Sequence, residues 1–131
     1  MFKSVFLLKR KPGTTMEEFK AYYETSHRLL GERVLPTAQR YVRRYLTPFS
    51  PDPGALAEEP EFDVITEVWF EDRAAFDAAV ASLGEPATAQ EIMEDEARFM
   101  DRSRIRLFTI EECESVIDGG AESVARSAHS A

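Results

Sequence analysis

The chain has very little cysteine and histidine. Its 131 residues include one cysteine, Cys113, and two histidines, His27 and His129. A single cysteine excludes a disulfide within the chain and a cysteine-based metal site. Only His27 lies in the patterned part of the sequence, and one histidine among scattered carboxylates offers no paired ligand spacing for a metal. We therefore expect no metal site and a reducing, cytoplasmic setting.

Long apolar runs and an excess of positive charge are missing as well. No stretch approaches the roughly 20 apolar residues of a membrane span, and the apolar N-terminal run is too short for a signal peptide. The formal net charge is −8, which disfavours nucleic acid and anionic membranes as partners. Hydrophobic residues at 44% and charged residues at 31% are typical of a globular chain, and this length indicates one domain.

The clearest local signals lie in residues 9–30, KRKPGTTMEEFKAYYETSHRLL. A Pro-Gly turn precedes two pairs with capping-box spacing, Thr14 with Glu17 and Thr15 with Glu18. We predict a helix over residues 14–30, ended or bent by Gly31 and Pro36. Helical spacing gives it an apolar face of Met16, Phe19, Tyr22, Tyr23, Leu29 and Leu30, with charged residues such as Glu24 on the solvent side.

Alternating apolar and polar residues predict four strands, over residues 2–9, 39–46, 62–70 and 104–110. Two further helical segments precede the last strand, one capped by Asp72 and one begun by Thr88 with Glu91 at capping-box spacing. The resulting order is β-α-β-β-α(α)-β. With right-handed crossovers this order predicts an α+β, ferredoxin-like sandwich, in which helices cover one face of an antiparallel four-stranded sheet.

The other face of the predicted sheet needs a partner. We assign to that face, from three strands, Val5, Leu7, Tyr41, Arg43, Tyr45, Ile65, Glu67 and Trp69. So much apolar and aromatic surface is unusual on a monomer. We therefore expect a homodimer in which two such faces meet around a partly polar cavity, lined with aromatic side chains, where a small molecule binds.

Three segments, in the right order, resemble the EthD family of the dimeric α+β barrel superfamily: KRKPGTTMEEFKAYYETSH, EVWFEDRAAFDAA and DEARFMDRSRIRLF. The resemblance covers most of residues 1–113, whereas the proline-rich loop 48–60 and the small, polar tail 114–131 lie outside it. It implies a ferredoxin-like subunit that pairs into a barrel, without a metal or organic cofactor. The small, polar composition of residues 114–131 by itself indicates a mobile tail or an arm that contacts another subunit.

The function that the resemblance implies is less uniform than the fold. Founding members of the family are linked to a cytochrome-P450 system that degrades a fuel ether, and such proteins are therefore grouped with oxidoreductases. Relatives in polyketide pathways resemble cyclases, dehydratases or decarboxylases. Two hypotheses remain: a cofactor-free enzyme acting on a small hydrophobic carbonyl compound or aromatic, or a non-catalytic binder that helps an oxidation system.

His27 is the main candidate for proton transfer, because an imidazole takes and gives protons near neutral pH. It lies four residues after Tyr23, at the edge of the apolar face, where a pocket rim is expected. A histidine near a helix end also suits a purely structural role beside the last carbonyls. We predict His27 and Tyr45 as catalytic residues, and as substrate-binding residues Tyr23, Tyr41, Arg43, Glu67 and Trp69.

Three acidic residues near the last strand have a simple structural explanation. Asp95, Glu96 and Asp101 are explained as solvated helix residues or as partners of nearby arginines. Alternatively, they order the start of the last strand.

Overall fold

Four antiparallel strands form one sheet in the computed structural model, which describes residues 1–52, 54 and 58–118. The strands are β1 (Phe2–Leu8), β2 (Arg40–Tyr45), β3 (Val64–Phe70) and β4 (Arg106–Thr109), in the order β2-β3-β1-β4. The helices are α1 (Met16–Tyr22), α2 (Arg28–Val34), α3 (Arg73–Leu83) and α4 (Pro86–Glu96). This element order and strand order are those of the ferredoxin-like fold, so the predicted fold class is confirmed.

The first helical region is longer than predicted and contains a π-helical turn. Thr15 is its N-cap and exchanges hydrogen bonds with Glu18, which identifies the second of the two predicted capping boxes. A π-helical turn, Tyr23–His27, then joins α1 to α2 without a break. The helix passes through Gly31 and ends at Val34, with Leu35 as its C-cap and Pro36 next in the chain. Of the two residues predicted to end or bend it, Gly31 does not end it, whereas the helix does stop just before Pro36.

The later helices differ from the prediction mainly at their ends. Asp72 caps α3 by accepting a hydrogen bond from the Ala75 amide, as predicted. Helix α4 starts at Pro86 rather than at the predicted Thr88, because a proline's fixed φ suits the first helical position. The predicted last strand is shortened at its start by a 3₁₀ turn, Arg102–Arg104.

The hydrophobic core lies between the sheet and the helices. Its larger cluster is built from Leu8 and Val64 of the sheet, Phe19 and Tyr23 of the first helical region, and Phe99, which follows α4. A second cluster lies under α3 and contains Val68, Phe70 and Ala79. All of these side chains are nearly inaccessible to solvent, so the two clusters fix the helices on one face of the sheet.

The register of β2 against β3 corrects the predicted assignment of faces. Tyr41, Arg43 and Tyr45 stand opposite Val68, Thr66 and Val64, which face the helices. Because directly paired residues point to the same side of a sheet, these three residues of β2 also lie on the helix-covered face. The predicted placement of Tyr41, Arg43 and Tyr45 on the open face is therefore wrong. Apolar and charged residues occur on both faces of β2, so its sequence alone leaves the orientation undetermined.

The face of the sheet that the helices leave uncovered is called the open face below. It is formed by the strand residues that alternate with those facing the helices. It carries Lys3, Val5, Leu7, Arg40, Val42, Arg44, Ile65, Glu67, Trp69, Arg106 and Phe108. None of the helices in the described ranges is both long and apolar enough to cross a membrane. The predicted tail, residues 114–131, is described only as far as Asp118, and residues 53, 55–57 and 119–131 lie outside the described part of the chain.

Candidate functional site

A cavity of about 90 Å³ lies between α2, α4 and the sheet. One water needs roughly 10–15 Å³ by such a measure, so the cavity has room for a small organic molecule. Aliphatic and aromatic side chains make up most of its wall, and its polar lining residues are Tyr23, His27, Tyr41, Thr66 and Glu96. We call this space the main cavity. A mostly apolar cavity with a few converging polar groups is the usual form of a small-molecule site.

The π-helical turn places two of these polar residues. Tyr23 and His27 are its first and last residues, and their ring centroids lie 5.2 Å apart at an interplanar angle of 76°. Both side chains are buried, and the His27 ring also packs against Phe99 at 4.8 Å. Single π-turns inside α-helices often occur at functional sites. His27 is thus a buried residue, not the edge residue that the sequence pattern suggested.

Asp95 of α4 holds the His27 ring. The distance from Asp95 Oδ2 to His27 Nδ1 is 2.7 Å, and both side chains are largely buried. A carboxylate only accepts hydrogen bonds, so Nδ1 carries the proton and Nε2 of the neutral ring has a free lone pair. Within the described part of the chain Nε2 has no hydrogen-bond partner, and no side-chain nitrogen or oxygen there is both buried and unpartnered. Nε2 is therefore accessible at the cavity that His27 lines.

Asp95 stays ionised because of its other neighbours. The Tyr22 hydroxyl donates to Asp95 Oδ1 at 2.6 Å, and Arg98 donates to the same oxygen at 3.3 Å. Burial alone would raise the pKa of Asp95, but the hydrogen bonds from Tyr22 and His27 and the nearby positive charge outweigh burial and lower this pKa. A charged Asp95 accepts from Nδ1 and so fixes the orientation and the tautomer of the His27 ring, as the carboxylate does in other acid/base dyads.

Three hydroxyl groups form a row along the wall of the main cavity. Tyr41 donates to the Tyr23 hydroxyl at 3.2 Å, and the Tyr23 and Thr66 hydroxyls are 2.8 Å apart. Three hydroxyls carry three protons, and the two hydrogen bonds of the row use only two of them. One proton, on Tyr23 or Thr66, is therefore left to donate to another group. We call Tyr41, Tyr23 and Thr66 the hydroxyl row.

The phenols of the row remain protonated near neutral pH. Burial raises the pKa of Tyr23 well above its ordinary value, and burial also raises the pKa of Tyr41. The hydroxyl row is consequently a neutral hydrogen-bond donor and not a base. Among the polar groups of the main cavity, His27 is the one suited to take a proton near neutral pH.

A second polar cluster joins the π-helical turn to β2. Glu24 accepts two hydrogen bonds from Arg43, at 2.6 and 3.0 Å, and one from the Tyr45 hydroxyl at 2.6 Å. The hydrogen bond from Arg43 lowers the pKa of Glu24, although burial opposes this shift. Burial, followed by the hydrogen bond to Glu24, raises the pKa of Tyr45. The predicted solvent-side position of Glu24 is wrong, because Glu24 is half-buried in this cluster.

The structure brings together only part of the predicted site. His27, Tyr23 and Tyr41 line the main cavity. Tyr45 and Arg43 lie on the same side of the sheet, bound to Glu24, and do not line it. Glu67 and Trp69 lie on the open face, where Glu67 accepts hydrogen bonds from Arg44 at 2.6 Å and from the Trp69 indole at 3.1 Å. The predicted placement of Arg43 and Glu67 on the same face is therefore wrong.

Sequence reasoning missed Asp95 and Thr66. Asp95 does pair with Arg98, a nearby arginine of the kind that the sequence suggested as its partner. Its main contact, however, is with His27, 68 residues away. No local pattern indicates so distant a contact. The signal for Thr66 was a hydroxyl in the middle of an apolar strand, on its buried face. No group of three or more histidine, cysteine, aspartate or glutamate residues in the described ranges could hold a metal ion.

The fold and the cavity define the class of this protein. It is a ferredoxin-like α+β domain with a mostly apolar cavity, containing a few polar groups, between its helices and its sheet. The family follows from the sequence, because the EthD domain matches residues 11–103, which is more than half of the chain. The chain belongs to the EthD family. A search among curated proteins found no match.

Solved structures show the same fold at low sequence identity. An EthD-family protein from Bacillus halodurans is 18% identical, with a TM-score of 0.59 over 86% of this chain and 100% of its own. At3g17210 from Arabidopsis thaliana is 15% identical, with a TM-score of 0.58 over 89% of this chain and 100% of its own. HapK from Hahella chejuensis is 15% identical, with a TM-score of 0.56 over 92% of this chain and 100% of its own. At these identities the likeness concerns the fold alone.

Proposed function

We propose that this protein binds a small hydrophobic or aromatic compound in the main cavity and that His27 moves a proton on it without a cofactor. The observation that carries the proposal is the 2.7 Å contact between Asp95 Oδ2 and His27 Nδ1, which leaves Nε2 accessible beside an apolar cavity. A ring fixed at one nitrogen and free at the other is what general acid/base catalysis needs.

In this proposal the polar groups of the main cavity have different roles in the proton transfer. Nε2 of His27 accepts a proton from the bound compound, and Asp95 stabilises the imidazolium that forms. The free proton of the hydroxyl row donates to an oxygen atom of the compound and stabilises negative charge that develops there. The apolar wall excludes water, which strengthens both interactions. Tyr45 acts indirectly, by holding Glu24 of the π-helical turn.

The family offers two pathway settings for such a step. An oxidoreductase-linked role would place the protein beside a P450-type oxidation system, whereas a cyclase, dehydratase or decarboxylase reaction would place the proton transfer at the centre of turnover. The ionised Asp95 beside His27 favours a proton-transfer enzyme, because mere binding of an apolar compound does not need a charge-stabilised histidine. A helper that binds without turnover is the second candidate.

Proton exchange gives a test that does not require the natural substrate. Small ketones and phenyl ketones in D₂O are followed by NMR for deuterium uptake next to the carbonyl, with wild type, His27→Gln and the tail variant His129→Gln as matched control. We expect faster exchange with wild type and with His129→Gln, and about a 10²–10⁴-fold loss with His27→Gln. Binding of the ketones with no exchange in any form would support the helper role instead.

A further inference from the structure

A second, smaller cavity continues the apolar wall of the main cavity toward α3. Its volume is about 20 Å³, and it lies between α3 and the sheet, next to Phe70, Phe76 and Ala79. We call it the side cavity. Its lining is apolar apart from Ser4, whose hydroxyl is already bound to the Val68 carbonyl at 2.9 Å. The function proposed above does not use this space.

The two cavities share one partition. Four side chains line both of them: Phe6, Leu35, Val68 and Leu83. All four are apolar, so a ligand that passes between the cavities desolvates no polar side chain there. Leu35 and Leu83 lie at helix ends and are only partly buried, so their rotamers can change at low cost.

The polar groups lie at one end of this path only. Thr66 of the hydroxyl row and Phe70 of the side cavity are four residues apart on β3, which corresponds to about 13 Å along an extended strand. A molecule that fills both cavities therefore has a hydrogen-bonding group at one end and an apolar chain at the other.

The charged groups around the main cavity restrict the chemistry of the ligand's polar end. Glu96 is a lining residue, and the ionised Asp95 lies directly behind His27. No arginine or lysine is among the described lining residues, and the guanidinium groups of Arg98 and Arg102, which pair with Asp95 and Glu96, lie outside that lining. An anionic head group would therefore meet two carboxylates and no lysine or arginine in the cavity. A neutral oxygen, such as that of a ketone, aldehyde or phenol, suits the hydroxyl row.

Resting on the proposed function, we infer that the ligand of this site is a neutral, oxygen-headed compound with an unbranched apolar tail that extends from the main cavity into the side cavity. The head group contacts His27 and the hydroxyl row, and the tail passes Val68 toward Ala79.

Methyl ketones of increasing length, from butanone to decanone, test this inference by calorimetry or NMR titration. For wild type we expect affinity to rise about fourfold per added methylene, the equivalent of about 0.8 kcal/mol, until the side cavity is filled. Ala79→Leu, which fills the side cavity, should stop this rise at a shorter chain and leave butanone binding unchanged. Ala78→Leu, on the exposed surface of α3, is the control and should behave as wild type.

A second variant that fills the side cavity and a carboxylic acid as a comparison ligand complete the test. Val80→Phe also fills the side cavity, and because Val80 is 45% exposed, this variant replaces Ala79→Leu if the latter fails to fold. The carboxylic acid of the same length as the tightest ketone should bind at least tenfold more weakly at pH 8. Equal affinity for acid and ketone, or long ketones that bind both filled variants like wild type, would overturn the inference and leave the proposed function standing. If no ketone of any length binds, the proposed function itself is wrong.

Discussion

At the scale of single residues, the site depends on the contact between His27 and Asp95. His27 packs against Tyr23 and Phe99, so removing its ring opens a cavity as well as deleting a base. Replacement by alanine therefore confuses structural and chemical effects. Asp95 is the cleaner target, because it acts on His27 through one oxygen and is exchanged for asparagine with little change in shape.

Asp95→Asn should lower the free energy of unfolding at pH 7 by about 1–3 kcal/mol, since a hydrogen-bonded buried charge is lost. The folded-state pKa of Asp95 is lowered, so its contribution is complete above its ordinary value of 3.8 and is lost as the pH falls through the folded-state pKa. Urea unfolding at pH 7 and near pH 3 should show the difference from wild type shrinking at the lower pH. Glu94→Gln, an exposed neighbour on α4, is the control, and a pH-independent difference would contradict the account.

At the scale of elements, the π-helical turn is held against β2 by the Glu24 cluster. Glu24 bonds both Arg43 and Tyr45, and the same turn carries Tyr23 and His27. The cluster thus fixes the part of the helix from which the site residues project. Its energetic contribution is modest, because the Glu24 side chain is one-third exposed and partly screened by water.

Glu24→Gln should cost about 1 kcal/mol at pH 7. The pKa of Glu24 is lowered in the folded state, so this cost is fully present above the ordinary value of 4.5 and is lost as the pH falls through the lower, folded-state pKa. Thermal unfolding from pH 7 to pH 3 measures the change. Glu17→Gln on the exposed side of α1 is the matched control, and a cost that persists at pH 3 would show that Glu24 acts by shape and not by charge.

Gly31 of α2 tests how closely the helix approaches the sheet. A Cβ atom at this position would lie 2.6 Å from the Tyr41 hydroxyl oxygen and 2.9 Å from two ring carbons. Alanine normally stabilises a helix interior by up to about 1 kcal/mol relative to glycine. Here we expect Gly31→Ala to destabilise the protein by about 1 kcal/mol instead, because the Tyr41 ring must move and its bond to Tyr23 is lost.

Gly84→Ala is the control for this prediction, since its Cβ would meet no atom closer than 3.5 Å. Near-ultraviolet circular dichroism and thermal unfolding distinguish the two variants. A Gly31→Ala protein that is more stable than wild type would contradict the tight packing of Tyr41 on α2.

Most of the elements could be predicted from local sequence, whereas much of the site could not. The Thr15 capping box, the Asp72 cap and the alternation of β3 are local signals, and each one is present in the structure. The contact of His27 with Asp95 and the orientation of β2 depend on packing between distant segments. The π-helical turn adds one residue to a helical turn, so face assignments made at 3.6 residues per turn drift beyond it.

At the scale of the whole molecule, the open face remains the strongest argument for a homodimer. It is less aromatic than predicted, since Tyr41 and Tyr45 face the helices. It retains apolar side chains on all four strands, namely Val5, Leu7, Val42, Ile65, Trp69 and Phe108. A sheet face of this kind is normally covered by another layer. We propose that the second layer is the open face of another copy.

Light scattering at micromolar concentration should show twice the mass of one chain. Ile65→Asp, on the central strand β3, should give monomers, because the substitution removes an apolar contact of the open face and places there a carboxylate that is costly to bury, even opposite Arg44. Leu29→Asp, at a position on α2 that is 53% exposed, should leave the dimer intact. A wild-type protein that is monomeric at this concentration, or an Ile65→Asp protein that stays dimeric, would contradict the proposed pairing.

The most direct test of the site is the protonation pattern of the His27 ring, observed by long-range ¹H–¹⁵N NMR in a His129→Gln background that leaves one histidine. We predict that the neutral form of the ring carries its proton on Nδ1 and has a free Nε2, whose nitrogen shift alone responds strongly when a small ketone is titrated into the main cavity. Asp95→Asn should abolish the preference for this tautomer. A proton on Nε2 in the wild-type protein, or a ring insensitive to bound ketone, would contradict the central claim.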